Sequence, residues 1–306
     1  MEFVFLTDMV AVINSLFMIL SQTTACAKKF GDDKAIEIIA KAGFDAVDYC
    51  MLSLDKKDCV LNSDDYKAYV LNLSEVAKRN NVYFNQGHAV GYMPHSDHDT
   101  VLKMLIEKNR RAIEISGLLG IKTLIIHPVA FGNYVGKEEY VFEKNMQYFK
   151  GLLPYAEEHG VKLACENMWC SDKRKKVTIG GVCGNPFEHA KYIDEVNHPL
   201  FVACLDLGHS ALSGREAQDC IRVLGNRLQA LHVHDNDYLD DMHTLPGLSE
   251  MNFDEIMKAL KDINYQGDFT LETDHFFDSL NTIEETEVGM KLAELIGRKL
   301  IAKFNT

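Results

Sequence analysis

Chemically reactive side chains recur in this sequence directly after short apolar runs. Six consecutive runs end in this way: at His88, at His127, at Glu166, in the segment 206–209, in the segment 232–237, and at Glu272. Imidazoles and carboxylates bind divalent cations and move protons. Carboxylates that converge at one place repel one another and lose hydration, and a shared cation removes that cost. The pattern therefore predicts a divalent metal site if the six run ends meet.

The apolar runs themselves are typical of parallel β-strands covered by helices, because they are nearly continuous rather than alternating. Helical patterns lie between them, and glycines such as Gly43, Gly120 and Gly160 stand where helices are expected to end. Strand and helix alternate eight times, which predicts an α/β fold, a (β/α)8 TIM barrel, with all strand ends on one face. The eight strands are predicted at about residues 18–23, 44–50, 82–88, 121–127, 161–167, 200–206, 228–234 and 268–273.

The chain of 306 residues is long enough for one such barrel, which typically takes about 250. Residues 18–306 show no linker and are predicted to form a single barrel domain. Residues 1–17 are predicted to be an N-terminal extension. Although residues 1–20 are largely apolar, Glu2, Asp8 and Asn14 interrupt them and no basic residue precedes them. Neither a signal peptide nor a membrane span is therefore predicted, and no membrane partner is expected.

Charge and cysteine content narrow the choice of partners and compartment. The formal net charge of −13 argues against a nucleic-acid partner. The eight cysteines include no CxxC pair, and several, such as Cys165 and Cys204, lie in apolar runs. Buried thiols of this kind are typical of a reducing compartment, so a cytoplasmic location is expected. The sequence leaves open whether the chain forms a homo-oligomer.

Taken together, these motifs resemble those of the xylose isomerase-like TIM barrel superfamily. That superfamily contains sugar and sugar phosphate isomerases and epimerases, inosose dehydratases and the endonuclease IV type of DNA-repair enzyme. The resemblance covers residues 18 to about 300. It implies a metal bound by Glu166, Asp206, His234 and Glu272, with Glu166 and Glu272 also moving protons. Its carriers are Glu166, the Asp-x-x-His of Asp206 and His209, the segment His234 to Asp237, the loop 241–247, the segment 252–256, and Glu272.

Three carboxylates and one imidazole suit Mn²⁺, Mg²⁺ or Co²⁺, and Zn²⁺ is a further candidate. Such a cation polarises a carbonyl and stabilises an enediolate, while two glutamates can serve opposite faces of the reacting carbon. The predicted function is a metal-dependent isomerase or epimerase of a small sugar, sugar phosphate or cyclitol. One alternative is an inosose-type dehydratase, because the same enediolate can expel a β-hydroxyl group. The other is a DNA-repair phosphodiesterase of the endonuclease IV type with three zinc ions.

The number of metals is left open by five further polar residues: His88, His127, His209, Asp241 and His243. These residues match positions that bind additional zinc in the three-zinc endonuclease IV type, but the loops around them do not match that type. We therefore favour hydrogen bonds to substrate hydroxyls, or orientation of the metal ligands, over additional metals. The tryptophan Trp169 could stack on a sugar ring. The basic run 173–176 could bind a phosphate, but a solvated loop is the favoured interpretation.

Overall fold

The structure is a computed structural model, and it describes residues 18–91, 97–131, 134–172 and 174–305. Eight parallel strands form one sheet in the order β10-β1-β2-β3-β4-β5-β8-β9, and β6 and β7 form a separate antiparallel hairpin. The predicted extension at residues 1–17 lies outside the described residues. The strands are β1 (Leu20–Thr23), β2 (Ala46–Cys50), β3 (Tyr83–His88), β4 (Thr123–Ile126), β5 (Lys162–Glu166), β6 (Trp169–Asp172), β7 (Val177–Gly180), β8 (Phe201–Asp206), β9 (Leu228–His232) and β10 (Phe269–Leu271).

Two backbone hydrogen bonds join the last strands and close the sheet on itself. The Val233 N–H donates to the Thr270 carbonyl at 2.9 Å, and the Glu272 N–H donates to the Val233 carbonyl at 3.0 Å. All pairings within this sheet are parallel, as expected when a helix returns the chain between strands. The predicted (β/α)8 barrel is confirmed.

Helices surround the barrel, and several end where glycine relieves the strain of a left-handed residue. Gly43, Gly120 and Gly160 have φ values of 104°, 75° and 63°, so three predicted helix ends are confirmed. No helix in the described ranges combines the length and apolar character needed to cross a membrane. The helices are α1 (Asp32–Ala42), α2 (Tyr66–Arg79), α3 (His98–Leu119), α4 (Glu138–His159), α5 (Pro186–Val196), α6 (Leu207–Leu212), α7 (Ala217–Leu224), α8 (Phe253–Asp262) and α9 (Ile283–Asn305).

The interior contains two clusters of apolar side chains, and polar side chains lie at one end of the barrel. The large cluster lies between the strands and the helices, and a small one inside the barrel contains Ile125, Ala164, Val202, Cys204 and Ala230. An eight-stranded barrel encloses an interior just wide enough for side chains such as these to fill. Polar side chains line the end of the barrel at which the strands begin, and the reactive side chains lie at the opposite end.

Candidate active site

The strand ends bring the reactive side chains together, as the sequence predicts. His88, Glu166, Asp206 and His232 are the last residues of β3, β5, β8 and β9. His127 and Glu272 follow the last residues of β4 and β10 directly, and the remaining histidines lie on the segments that leave β8 and β9. Because parallel strands end on one face, these side chains share the mouth of the barrel.

At the centre of this mouth, a buried imidazole lies between two glutamates. The Nδ1 atom of His232 is 3.3 Å from Oε1 of Glu166 and 3.0 Å from Oε2 of Glu272. The other ring nitrogen of His232 is 3.7 Å from Oδ2 of Asp48, at the end region of β2. Both Asp48 and His232 are inaccessible to solvent. Three carboxylates therefore surround one imidazole.

Two further imidazoles converge on Glu166. Nε2 of His127 is 3.1 Å from Oε2 of Glu166 and also 3.1 Å from Nε2 of His88. The Nδ1–H of His88 donates to the carbonyl of Ala89 at 3.0 Å, which leaves Nε2 of His88 with a lone pair. Two ring nitrogens and a carboxylate oxygen that face one another form a natural set of metal ligands, provided that the nitrogens are unprotonated.

On the other side of the mouth, His234 lies on Asp206 rather than between the glutamates. Its Nε2 atom is 3.0 and 3.1 Å from the two carboxylate oxygens of Asp206. Its ring stacks on that of His243 at a centroid distance of 4.0 Å. A Cβ atom on Gly208 would overlap Cε1 of His234, so only glycine allows the ring this position.

A third group of ligand atoms surrounds Asp241, at the outer rim. Nε2 of His243 is 3.2 Å from Oδ1 of Asp241, and Nε2 of His209 is 3.5 Å from Oδ2. The indole N–H of Trp169 donates to Oδ2 of the same carboxylate at 3.0 Å. Nδ1 of His243 is also 3.0 Å from Oδ1 of Asp274. The hydrogen bond to Asp241 thus holds the indole of Trp169 at the mouth.

The charges in this mouth keep the carboxylates ionised in the metal-free protein. Burial opposes ionisation of Glu166, but the positive charges on His232 and His127 outweigh it and hold the pKa of Glu166 well below its usual range. Burial also works against the charged form of His209, yet the carboxylates of Asp206 and Asp241 raise the pKa of His209 to about 10. A bound cation would take the place of these protons.

Several buried polar atoms in the mouth lack a hydrogen bond of proper geometry within the described residues. They include one oxygen each of Glu166, Asp241 and Asp274, Nδ1 of His243, and both ring nitrogens of His232. Buried polar groups are normally satisfied, and an unpaired one costs about 1–3 kcal/mol. Metal coordination would satisfy carboxylate oxygens and unprotonated ring nitrogens together. The residues present therefore fit a divalent cation.

Comparison with known proteins agrees with this architecture. The family model of the xylose isomerase-like TIM barrel matches residues 36–292. The chain belongs to this family. An L-ribulose 3-epimerase of Methylomonas sp. is 24% identical over 253 residues, which cover 79% of this chain and 78% of that enzyme. An inosose dehydratase of Clostridium perfringens is 26% identical over 164 residues, which cover 48% of this chain and 52% of that enzyme.

Solved structures share the fold over almost their full length. A D-psicose 3-epimerase, crystallised in the presence of D-fructose, superimposes with a TM-score of 0.71 at 18% identity, covering 93% of this chain and 99% of that one. The IOLI protein, whose crystal structure contains a zinc atom, superimposes with a TM-score of 0.70 at 18% identity, covering 94% and 99%. Within the xylose isomerase-like family, this chain is thus related in sequence to sugar epimerases and to an inosose dehydratase.

This member of the family carries functional candidates that the sequence did not single out. The sequence marks His232 only as part of the segment that ends its strand, although in an extended chain residues two apart, such as His232 and His234, face the same side. That alternation is the signal that could have found it. Asp48 sits in an apolar strand and Asp274 follows Glu272 by two residues, and neither has a sequence motif that marks it.

Proposed function

We propose that this xylose isomerase-like barrel is a metal-dependent isomerase or epimerase of a small, neutral sugar or sugar-like polyhydroxy carbonyl compound. The observation that carries the proposal is the convergence of Glu166 and Glu272 on one buried imidazole, His232, at the mouth of the barrel. The kinship with L-ribulose 3-epimerase supports the same reaction class.

In this proposal Glu166, Asp206, His232 and Glu272 hold the cation. His232 takes the place that the sequence assigned to His234, because His232 contacts both glutamates whereas His234 contacts Asp206. When bound, a divalent cation supplies positive charge that polarises a substrate carbonyl and stabilises an enediolate. Its identity among Mn²⁺, Mg²⁺, Co²⁺ and Zn²⁺ is part of what the test below measures.

The two glutamates differ in their access to solvent, and this difference suggests different roles. The side chain of Glu272 is 12% exposed and that of Glu166 is 1% exposed. A base that faces the opening can exchange its proton with water. We assign removal and exchange of the substrate proton to Glu272. Return of a proton on the other face is assigned to Glu166, which is ionised at rest and would pass on a proton taken from His127, whose Nε2 atom is 3.1 Å from Oε2 of Glu166.

Substrate recognition is assigned to the rim of the mouth. His209 and Asp241 can bond to hydroxyl groups, and the indole of Trp169, held by Asp241, offers a flat face for a sugar ring. The carboxylates of Asp241 and Asp274 lie at this rim, which favours a neutral substrate over a phosphorylated one. Of the basic run, Arg174 is mostly exposed at the turn of the β6–β7 hairpin and contacts Asp172, and Lys173 lies outside the described residues.

A second candidate is a multi-metal hydrolase of the endonuclease IV type, and one observation favours it. His88, His127 and Glu166 form one group of convergent ligand atoms, and His209, Asp241 and His243 form another. Two additional cations would use the histidines that the first proposal assigns to substrate. The acidic balance of the chain argues against a polyanionic substrate.

One experiment separates these functions. The protein, stripped of metal and reloaded with Mn²⁺, Co²⁺ or Zn²⁺, is incubated in D₂O with a panel of ketoses, ketose phosphates and inososes. We expect interconversion of a neutral ketose pair with deuterium at the carbon next to the carbonyl, and about one Mn²⁺ ion per chain. Loss of water from an inosose would instead support the dehydratase. Three Mn²⁺ ions per chain with no turnover of any carbonyl compound would refute the isomerase proposal.

A further inference from the structure

A second group of potential metal ligands lies outside the mouth, behind strand β5. Cys165 precedes Glu166 on this strand and faces the opposite side, toward the apolar layer under helix α5. Cys183 lies in the segment between β7 and α5, and His189 lies on the first turns of α5. All three side chains are almost completely buried. Each comes from a different segment, and none takes part in the site described above.

The separation of the two thiols matches a shared metal ion better than a disulfide. The two Sγ atoms are 3.9 Å apart. Two thiolates bound to Zn²⁺ at about 2.3 Å lie about 3.8 Å apart in tetrahedral geometry and about 4.0 Å apart in trigonal geometry. A disulfide needs a separation of about 2.05 Å, so its formation would require the chain to close a gap of almost 2 Å.

His189 is oriented as a metal ligand. Its Nε2–H donates to the carbonyl of Cys165 at 2.9 Å, which fixes the ring and leaves the lone pair on Nδ1. That Nδ1 atom is buried and has no hydrogen-bond partner within the described residues. One nitrogen bonded to a backbone carbonyl and the other turned toward ligands is the arrangement that histidines adopt at metal sites. The ligand atoms of Cys165, Cys183 and His189 lie within 4.8 Å of one another.

Helix α5 and the segment before it hold these groups in place. Asn185 caps the helix by accepting a hydrogen bond from the Phe187 N–H at 3.0 Å. The carboxylate of Glu188 accepts the N–H of Cys183 at 3.2 Å and the hydroxyl of Tyr134 at 2.7 and 2.8 Å. The backbone that carries Cys183 is thereby fixed independently of any metal.

We propose that Cys165, Cys183 and His189 form a buried site for a thiophilic metal ion, Zn²⁺ or Cu⁺, distinct from the metal site of the barrel mouth. Two thiolates balance the charge of Zn²⁺, so the burial of the complete site costs little desolvation. Thiolate ligands also select against Mg²⁺ and Mn²⁺, which the carboxylate-rich mouth accepts. The site ties α5 and the segment before it to the strand that ends in Glu166.

Cobalt reports on this site separately from the mouth, because thiolate-to-Co²⁺ charge transfer absorbs in the near ultraviolet and the mouth contains no proposed thiolate ligand. The apoprotein is unfolded in reductant, refolded with excess Co²⁺ and freed of loose metal. The variants compared are Cys183→Ala, Glu272→Gln, and Cys220→Ala as a matched control, since Cys220 is another buried thiol and lies on α7.

We expect the charge-transfer band in the wild type, in Glu272→Gln and in Cys220→Ala, and at least a tenfold weaker band in Cys183→Ala. Zinc-loaded Cys183→Ala should contain one metal ion fewer per chain than Cys220→Ala. Equal bands or equal zinc contents in these two variants would overturn the proposal. If Cys183→Ala does not fold, X-ray absorption of the zinc-loaded wild type decides, because zinc spectra without sulfur neighbours would refute the site.

Discussion

Replacement by glutamine of His232, the last residue of β9, or of His234, two residues further on, tests the assignment of the metal ligands most sharply. In His232→Gln, Glu166 and Glu272 lose the imidazole that lies 3.3 and 3.0 Å from them. Loss of a direct ligand should weaken Mn²⁺ binding by about 1,000-fold or more, equivalent to about 4 kcal/mol. In His234→Gln, the changed residue orients Asp206 through contacts of 3.0 and 3.1 Å, and such outer partners are worth about 10–100-fold.

The free energy of unfolding of the metal-free protein gives a second, independent test of the contacts between His232 and the glutamates. His232 is fully buried, and its removal takes the nearest positive partner away from the carboxylates of Glu272 and Asp48. Breaking a buried ion pair from one side costs about 3–5 kcal/mol, and His232→Gln should lose that much in urea unfolding. Calorimetric titration with Mn²⁺ measures the metal affinities of His232→Gln and His234→Gln. A larger loss of affinity in His234→Gln than in His232→Gln would refute the assignment of His232.

Three further predictions concern catalysis, packing and specificity. Glu272→Gln should lower turnover by about 100-fold or more, because general acid–base groups contribute about 10²–10⁴-fold, and should cost less stability than His232→Gln, because Glu166 remains beside His232; a stability loss as large as that of His232→Gln would point to a structural role. Gly208→Ala should displace the ring of His234 and lower metal affinity, whereas Gly214→Ala, a surface glycine with φ of 70° and open space around it, should affect stability alone. Duplex DNA with an abasic site should remain intact in a gel assay, and metal-dependent nicking that Glu166→Gln abolishes would contradict this.

The barrel could be predicted from the sequence because its signals are local and repeated. Glycines such as Gly120 and Gly160 end helices, and continuous apolar runs follow them. Since parallel strands end on one face, the sequence also predicted that His88, Glu166 and Glu272 would share one mouth. The β6–β7 hairpin was not predicted, because it lies within a loop between two barrel strands and Trp169 at its start carries no strand periodicity.

The arrangement within the mouth depends on side-chain directions that spacing does not specify. His232 ends β9 and His234 lies just beyond it, and the missing side chain of Gly208 leaves room for the ring of His234 over the start of α6. Asp48 lies in an apolar strand, so only the three-dimensional structure reveals its place beside His232. The pairing of Cys165 with Cys183 is likewise invisible in a sequence without a CxxC motif.

The closure of the barrel has a mechanical consequence. Its last seam rests on two backbone hydrogen bonds around Val233, whereas the other neighbouring barrel strands share longer ladders. His232 and Glu272 border this seam from its two sides. A cation held by both would bridge the seam with the fewest hydrogen bonds, so that binding of the metal would also strengthen the closure of the barrel. The apoprotein should then open first at this seam, with amide protons of Val233 and Glu272 exchanging before those of β4 and β5.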